Sequence, residues 1–78
     1  MINIIAEAAQ ARRCVRLVYG GKSRLVEPYS LRGACLVGFE VEREGEPSGS
    51  TKSYRLDKVE SLEIAEDVGF EPRWAVEL

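Results

Sequence analysis

The sequence predicts an α+β domain, in which one amino-terminal helix precedes a small antiparallel barrel of five to six strands. Three observations predict it. Apolar residues recur at spacings of three and four only near the start, from Ile4 to Arg12. From Val15 onward, short segments alternate apolar and polar residues and are parted by turns that hold glycine. The stretch Lys52–Ile64 then fits a strand arriving at Tyr54, one tight turn through Leu56 to Lys58, and a strand leaving with Val59, Leu62 and Ile64 in need of a core.

The helix is expected over about residues 3–13. Ile4, Ile5, Ala8, Ala9 and Arg12 form its stripe, Asn3 can cap its start, and Arg12 and Arg13 complement the carbonyl end of its dipole. So short a stripe should lie over the end of a sheet rather than found a bundle. The barrel is expected over about residues 15–65. Val15, Leu17 and Tyr19 read as a half-buried strand, Gly20-Gly21-Lys22-Ser23 as a hairpin turn, and Arg24–Tyr29 as a second strand that Pro28 ends or confines to an edge.

Ser30–Ala34 reads as a second turn and Cys35–Arg43 as the longest strand. Val37, Phe39 and Val41 fall on one of its faces, with Glu40 and Glu42 on the other, exposed one beyond Leu36 and Gly38. Gly38 marks a bend or the close approach of another backbone. Glu44–Ser50 reads as a mobile loop and Glu66–Gly69 as a polar break. The tail 70–78 puts Phe70, Pro72, Trp74, Val76 and Leu78 on one parity, a strand-like segment that closes its own sheet or adds to a partner's edge. A helix followed by short antiparallel strands with a tight turn before the fifth is an SH3-like or Sm-like plan.

A chain of 78 residues is one domain, 1–78, with a thin core. The net charge of −2 supplies no global field for nucleic acid, so an anion site has to be a local patch. Two cysteines, Cys14 and Cys35, make no disulfide framework, and no apolar stretch has the length of a signal peptide core or a membrane span. A cytoplasmic protein with reduced, structural thiols and no membrane contact is expected. With no histidine, no nucleophile beside a base and too few ligands for zinc, neither catalysis nor a metal or cofactor is expected.

Lys52, Arg55 and Lys58 stand three residues apart, and in a 3₁₀ turn side chains at that spacing eclipse. Such cations suit an anionic ligand, although Asp57, Glu60 and Glu63 lie close enough for a merely solvated face. Around them the chain resembles the WYL domain, the Sm-like module of bacterial transcription regulators. Lys52–Val59 is similar to that family's pattern of basic, any, aromatic, basic, leucine, aspartate, basic, aliphatic, and Arg24-Leu25-Val26-Glu27-Pro28 to its arginine-aliphatic-x-proline strand. The naming Trp-Tyr-Leu triplet aligns with Ala34, Cys35 and Leu36, so only the leucine is kept and a pocket of altered shape is expected. The winged helix of full-length regulators is expected to be missing.

The resemblance implies a non-catalytic ligand-sensing or regulatory module that binds a phosphorylated ligand, a nucleotide or a single-stranded nucleic acid. Its candidate contacts are Arg24, Lys52, Ser53, Arg55 and Lys58, with Tyr54 packing or binding beside them. Lysine at two of the three central positions implies looser geometric selectivity, because it offers a point charge where arginine offers a fork. The plain alternatives are Arg24 as an edge-strand gatekeeper, Arg55 as the partner of Asp57 or Glu27, and Lys52 and Lys58 as solvated cations. Tyr19, Tyr29 and Tyr54 are the candidates for base stacking. The alternative function is a protein–protein module acting through the tail, its partner a second copy or a separate DNA-binding regulator.

Overall fold

A computed structural model describes residues 1–78, and it joins a nine-residue helix to a five-stranded antiparallel sheet. The order is α1 (Ile2–Gln10), β1 (Arg13–Tyr19), β2 (Lys22–Arg32), β3 (Cys35–Arg43), β4 (Glu46–Arg55), a 3₁₀ turn (Leu56–Lys58) and β5 (Val59–Gly69). Across the sheet the strands run β4-β3-β2-β1-β5. It is open: β4 and β5 form its two edges and no ladder joins them. No helix is long and apolar enough to cross a membrane.

Nine residues make a marginal helix in water, so α1 depends on its buried stripe of Ile5, Ala8 and Ala9. The alanines let it lie close on the sheet. It ends earlier than the spacing predicts, because Arg12 takes a left-handed φ of 55° that turns the chain into β1. Arg12, two residues past the helix end, nevertheless folds its Nη1 back to donate to the Ala9 carbonyl at 2.6 Å, whereas Arg13 already belongs to β1, so the last turn itself holds no cation. Asn3 does not cap; Met1 holds that position without a side-chain hydrogen bond.

The pairing Val15↔Val26↔Glu40↔Ser50 sets which residues share a face. On the helix side, Ile5 and Ala8 pack with Val15, Leu17, Val26, Leu36 and Tyr54. Val59, Leu62 and Ile64 pack against this cluster, as their pattern demanded. The far side carries a smaller cluster of Cys14, Leu25 and Ala65, flanked by Val41, Val68 and Phe70. Burial pushes the Cys14 thiol up to about 11, so this cysteine is inert packing.

Turns make the connections short. Gly20 and Gly21, at φ 60° and 72°, close β1 onto β2 in two residues, the left-handed pair that a tight hairpin requires. Glu44 and Gly45 do the same between β3 and β4, so Glu46–Ser50 is strand and not the mobile loop expected. Leu56–Lys58 forms the predicted turn residue for residue.

Other expectations need correction. β2 is the central strand and runs through Pro28 to Arg32. The proline is tolerated because β1 pairs with β2 only up to Val26, so one flank of β2 is free there, and because the register with β3 shifts between Pro28 and Ser30. Glu66–Gly69 continues β5, its polar residues absorbed in a register shift opposite Arg13 and Cys14. Residues 70–78 make no strand; Phe70 N–H donates to the Arg12 carbonyl (3.0 Å), Glu77 N–H to the Tyr29 carbonyl (2.8 Å), and Trp74 stacks on Tyr29 with ring centroids 3.9 Å apart.

Candidate functional site

The most elaborate polar centre is one the sequence reading placed in solvent. Glu40, expected on an exposed face of β3, is fully buried on the helix side in the same row of the strand as Leu36 and Gly38. Its carboxylate Oε2 accepts from Arg24 Nη1 (3.0 Å) and the Tyr54 hydroxyl (2.7 Å); Oε1 accepts from the Ser48 hydroxyl (2.5 Å), with Arg43 Nε at 3.4 Å. Burial raises the proton affinity of Glu40, but the bonds from Ser48, Tyr54 and Arg24 together outweigh it and bring its pKa down to about 2. Burial, with donation to Glu40, holds the Tyr54 phenol well above its ordinary value.

That network disposes of Arg24 as a free ligand contact. Its side chain is only 12% exposed, Nη2 donates to the Tyr19 carbonyl at 2.9 Å, and the guanidinium lies 5.8 Å and 6.0 Å from the ring centroids of Tyr19 and Tyr54. It sits on the central strand, not on an edge as a gatekeeper. Tyr54 packs rather than binds, and Tyr29 is equally buried with Trp74 stacked on it, so neither offers a free face to a base. Tyr19 is half-buried, edge-on to Tyr54 at 5.2 Å, and its hydroxyl accepts from Arg55 N–H at 3.1 Å.

The remaining predicted contacts are divided by the pleat. Lys52 pairs with Gly38 and lies half-buried on the same side as Tyr54; Ser53 and Arg55 are exposed, Arg55 on the opposite face with Ser53 beside it. Lys58 is exposed in the 3₁₀ turn. The five therefore do not ring a single hollow. Lys52 and Lys58 have no carboxylate within ion-pair distance, while Arg55 Nη2 meets Asp57 at 2.8 Å, the partner foreseen for it.

The register instead builds a different row on the far face. Arg32 pairs with Cys35, and Cys35 pairs with Arg55, so two exposed arginines flank one cysteine across β2, β3 and β4. Ser53 stands in the neighbouring row, opposite Val37. Each arginine carries one exposed carboxylate: Glu77 at 3.9 Å from Arg32, and Asp57 on Arg55. Exposed pairs of this kind contribute about 0–1 kcal/mol, so an anion can displace them. Two anchors fix the end of β4: the Arg55 N–H bond to Tyr19 and a Leu56 N–H bond to the Ala34 carbonyl at 2.9 Å.

Sequence reasoning missed Arg32, which lay inside a segment read as a turn, and Glu40, whose clue was its shared parity with Leu36 and Gly38. No group of three or more His, Cys, Asp or Glu residues is placed to hold a metal ion. No protein-family model, no curated protein and no solved structure matches this chain.

Proposed function

We propose that the chain is a non-catalytic binding module of WYL-like, Sm-like kind that takes a phosphorylated ligand, a nucleotide or a single-stranded nucleic acid on the row Arg32–Cys35–Arg55. The amino-terminal helix on one face, the strand order and the 3₁₀ turn before β5 support that fold reading. The register that aligns Arg32 with Arg55 carries the functional one. Ser53 adds a hydroxyl beside the row and Lys58 an exposed charge on the adjoining turn. Arginine forks suit phosphate oxygens, and neither guanidinium has to leave a buried partner to reach one. The unpaired thiols Cys14 and Cys35 support a reducing, cytoplasmic setting.

Titration of short single-stranded oligonucleotides and of nucleotides, read by amide shifts at low and raised salt, tests the proposal. Shifts at Arg32, Ser53 and Arg55 that fade with salt are expected. Arg55→Gln should lower the slope of log affinity against log salt by about one if that side chain contacts a phosphate. Silence at all three positions at low salt would sink the reading.

A second reading, contact with another copy through the tail, is favoured by Trp74. It is 38% exposed even with one ring face on Tyr29. Sedimentation of the full chain over a range of concentrations, with Trp74→Ala as control, tests it: association that the substitution abolishes is expected, and a monomer throughout removes it.

A further inference from the structure

Outside the anion row, the far face of β2 and β3 holds a second buried carboxylate. Glu27 is 4% exposed and pairs across the strands with Phe39. Its Oε1 accepts from the Tyr29 hydroxyl at 2.7 Å. The tail supplies everything else it holds: Arg73 Nε reaches Oε1 at 3.0 Å and Nη2 reaches Oε2 at 3.2 Å, a two-pronged fork. The same guanidinium lies over the Phe39 ring, 3.8 Å from its centroid, and Arg73 N–H donates to the Tyr29 hydroxyl at 2.9 Å. Trp74, the next residue, stacks on Tyr29 with planes 18° apart.

These contacts read one dipeptide by four criteria. The carboxylate selects positive charge, the fork selects a guanidinium over an ammonium, the Phe39 face selects a flat cation, and Tyr29 selects an aromatic ring just after it. The ends of the segment are anchored separately: Phe70 packs on the Cys14–Leu25–Ala65 cluster and edge-on to Tyr29 at 5.5 Å, and Leu78 packs against the main core. Apart from Arg73 N–H, only Phe70 and Glu77 give backbone donors to the rest of the chain, and residues 71–75 are exposed. Between those anchors, residues 71–75 dock through the side chains of Arg73 and Trp74 and the one Arg73 N–H bond rather than through a strand ladder.

We infer that Glu27, Tyr29 and Phe39 form a receptor pocket for a peptide segment in which arginine is followed by an aromatic residue, and that Arg73-Trp74 occupies it in cis. This deepens the tail reading above by naming the site and its chemistry; the same tail borders the anion row, since its Glu77 lies 3.9 Å from Arg32. A segment with the same pair, the tail of a second copy included, fits by the same contacts once the resident Arg73-Trp74 pair lifts away.

The test uses the isotope-labelled full chain and an unlabelled nonapeptide of residues 70–78. In the R73A/W74A chain, where the resident segment has lost its grip, the peptide should shift the amides of Glu27, Tyr29 and Phe39. Peptides carrying Arg73→Ala or Arg73→Lys should bind at least about tenfold more weakly, and Glu27→Gln in the chain should abolish the shifts. Equal binding of all three peptides, or none, overturns the inference. Should the double variant fail to fold, the wild-type chain still decides: peptide at millimolar concentration, near that of a tethered segment, should move the indole signal of Trp74 about halfway to its free value, and an unmoved signal overturns the pocket. Sedimentation of the wild type without peptide judges the dimer reading separately.

Discussion

Glu40 concentrates the residue-scale physics. A carboxylate with no solvent contact is tolerable only because donors surround it, and Arg24, Tyr54 and Ser48 come from two other strands to supply them. Its pKa falls from 4.5 to about 2 on folding. The stabilisation is therefore complete above about pH 4.5 and disappears as pH drops through about 2, on the order of 3 kcal/mol across that window. Urea unfolding followed from pH 7 to pH 2 should show this decline. Glu40→Gln should be less stable by about 3–5 kcal/mol at neutral pH, since Arg24 stays buried without its counter-charge, and the gap from wild type should narrow as pH falls. A gap constant with pH would mean that Glu40 is not the titrating group.

Among the elements, what was legible depended on whether a residue type has one structural use. Gly20-Gly21 admits hardly any reading but a tight turn, and Lys52–Ile64 announced its 3₁₀ turn through its spacing. Gly38 was rightly suspected of a close approach: a Cβ there would stand 2.5 Å from the Glu27 carbonyl oxygen and 2.6 Å from Val26 Cγ1. Gly38→Ala should push β3 off β2 and destabilise by more than about 2 kcal/mol, measured by denaturant titration. β3 defeated alternation because both its faces are covered. Leu36, Gly38 and Glu40 face the helix side, while Val37, Phe39 and Val41 are half-buried on the other. Period two finds two faces but does not say which is the deeper when a glutamate shares a row with a leucine. The candidate site suffered from the same limit, since residues adjacent in sequence were grouped although the pleat sends neighbours apart.

For the whole molecule, a net charge of −2 means that any affinity for anions is local and fragile. Arg32 and Arg55 come from separate strands, so only pairing through Cys35 brings them together, and no local motif marks the row. Arg32→Gln should weaken oligonucleotide binding about as much as Arg55→Gln does, and the double substitution should leave nothing measurable above background in the same titration. The tail was hidden for a related reason. Its alternation promised a strand, yet its side chains find better partners in Glu27, Tyr29 and Phe39 than its backbone would find at an open edge.

The strand order also bears on how the chain acquires its shape. Three of its four ladders join sequence neighbours through turns of two residues, whereas β1 with β5 must bring together segments forty or more residues apart, as in Tyr19↔Val59 and Cys14↔Ala65. Loop-closure entropy makes that last seam the slow, late one, with the four-strand meander nucleating first. Ile64→Val should accordingly accelerate unfolding while scarcely altering the refolding rate, and Val26→Ala should slow refolding, in stopped-flow chevrons.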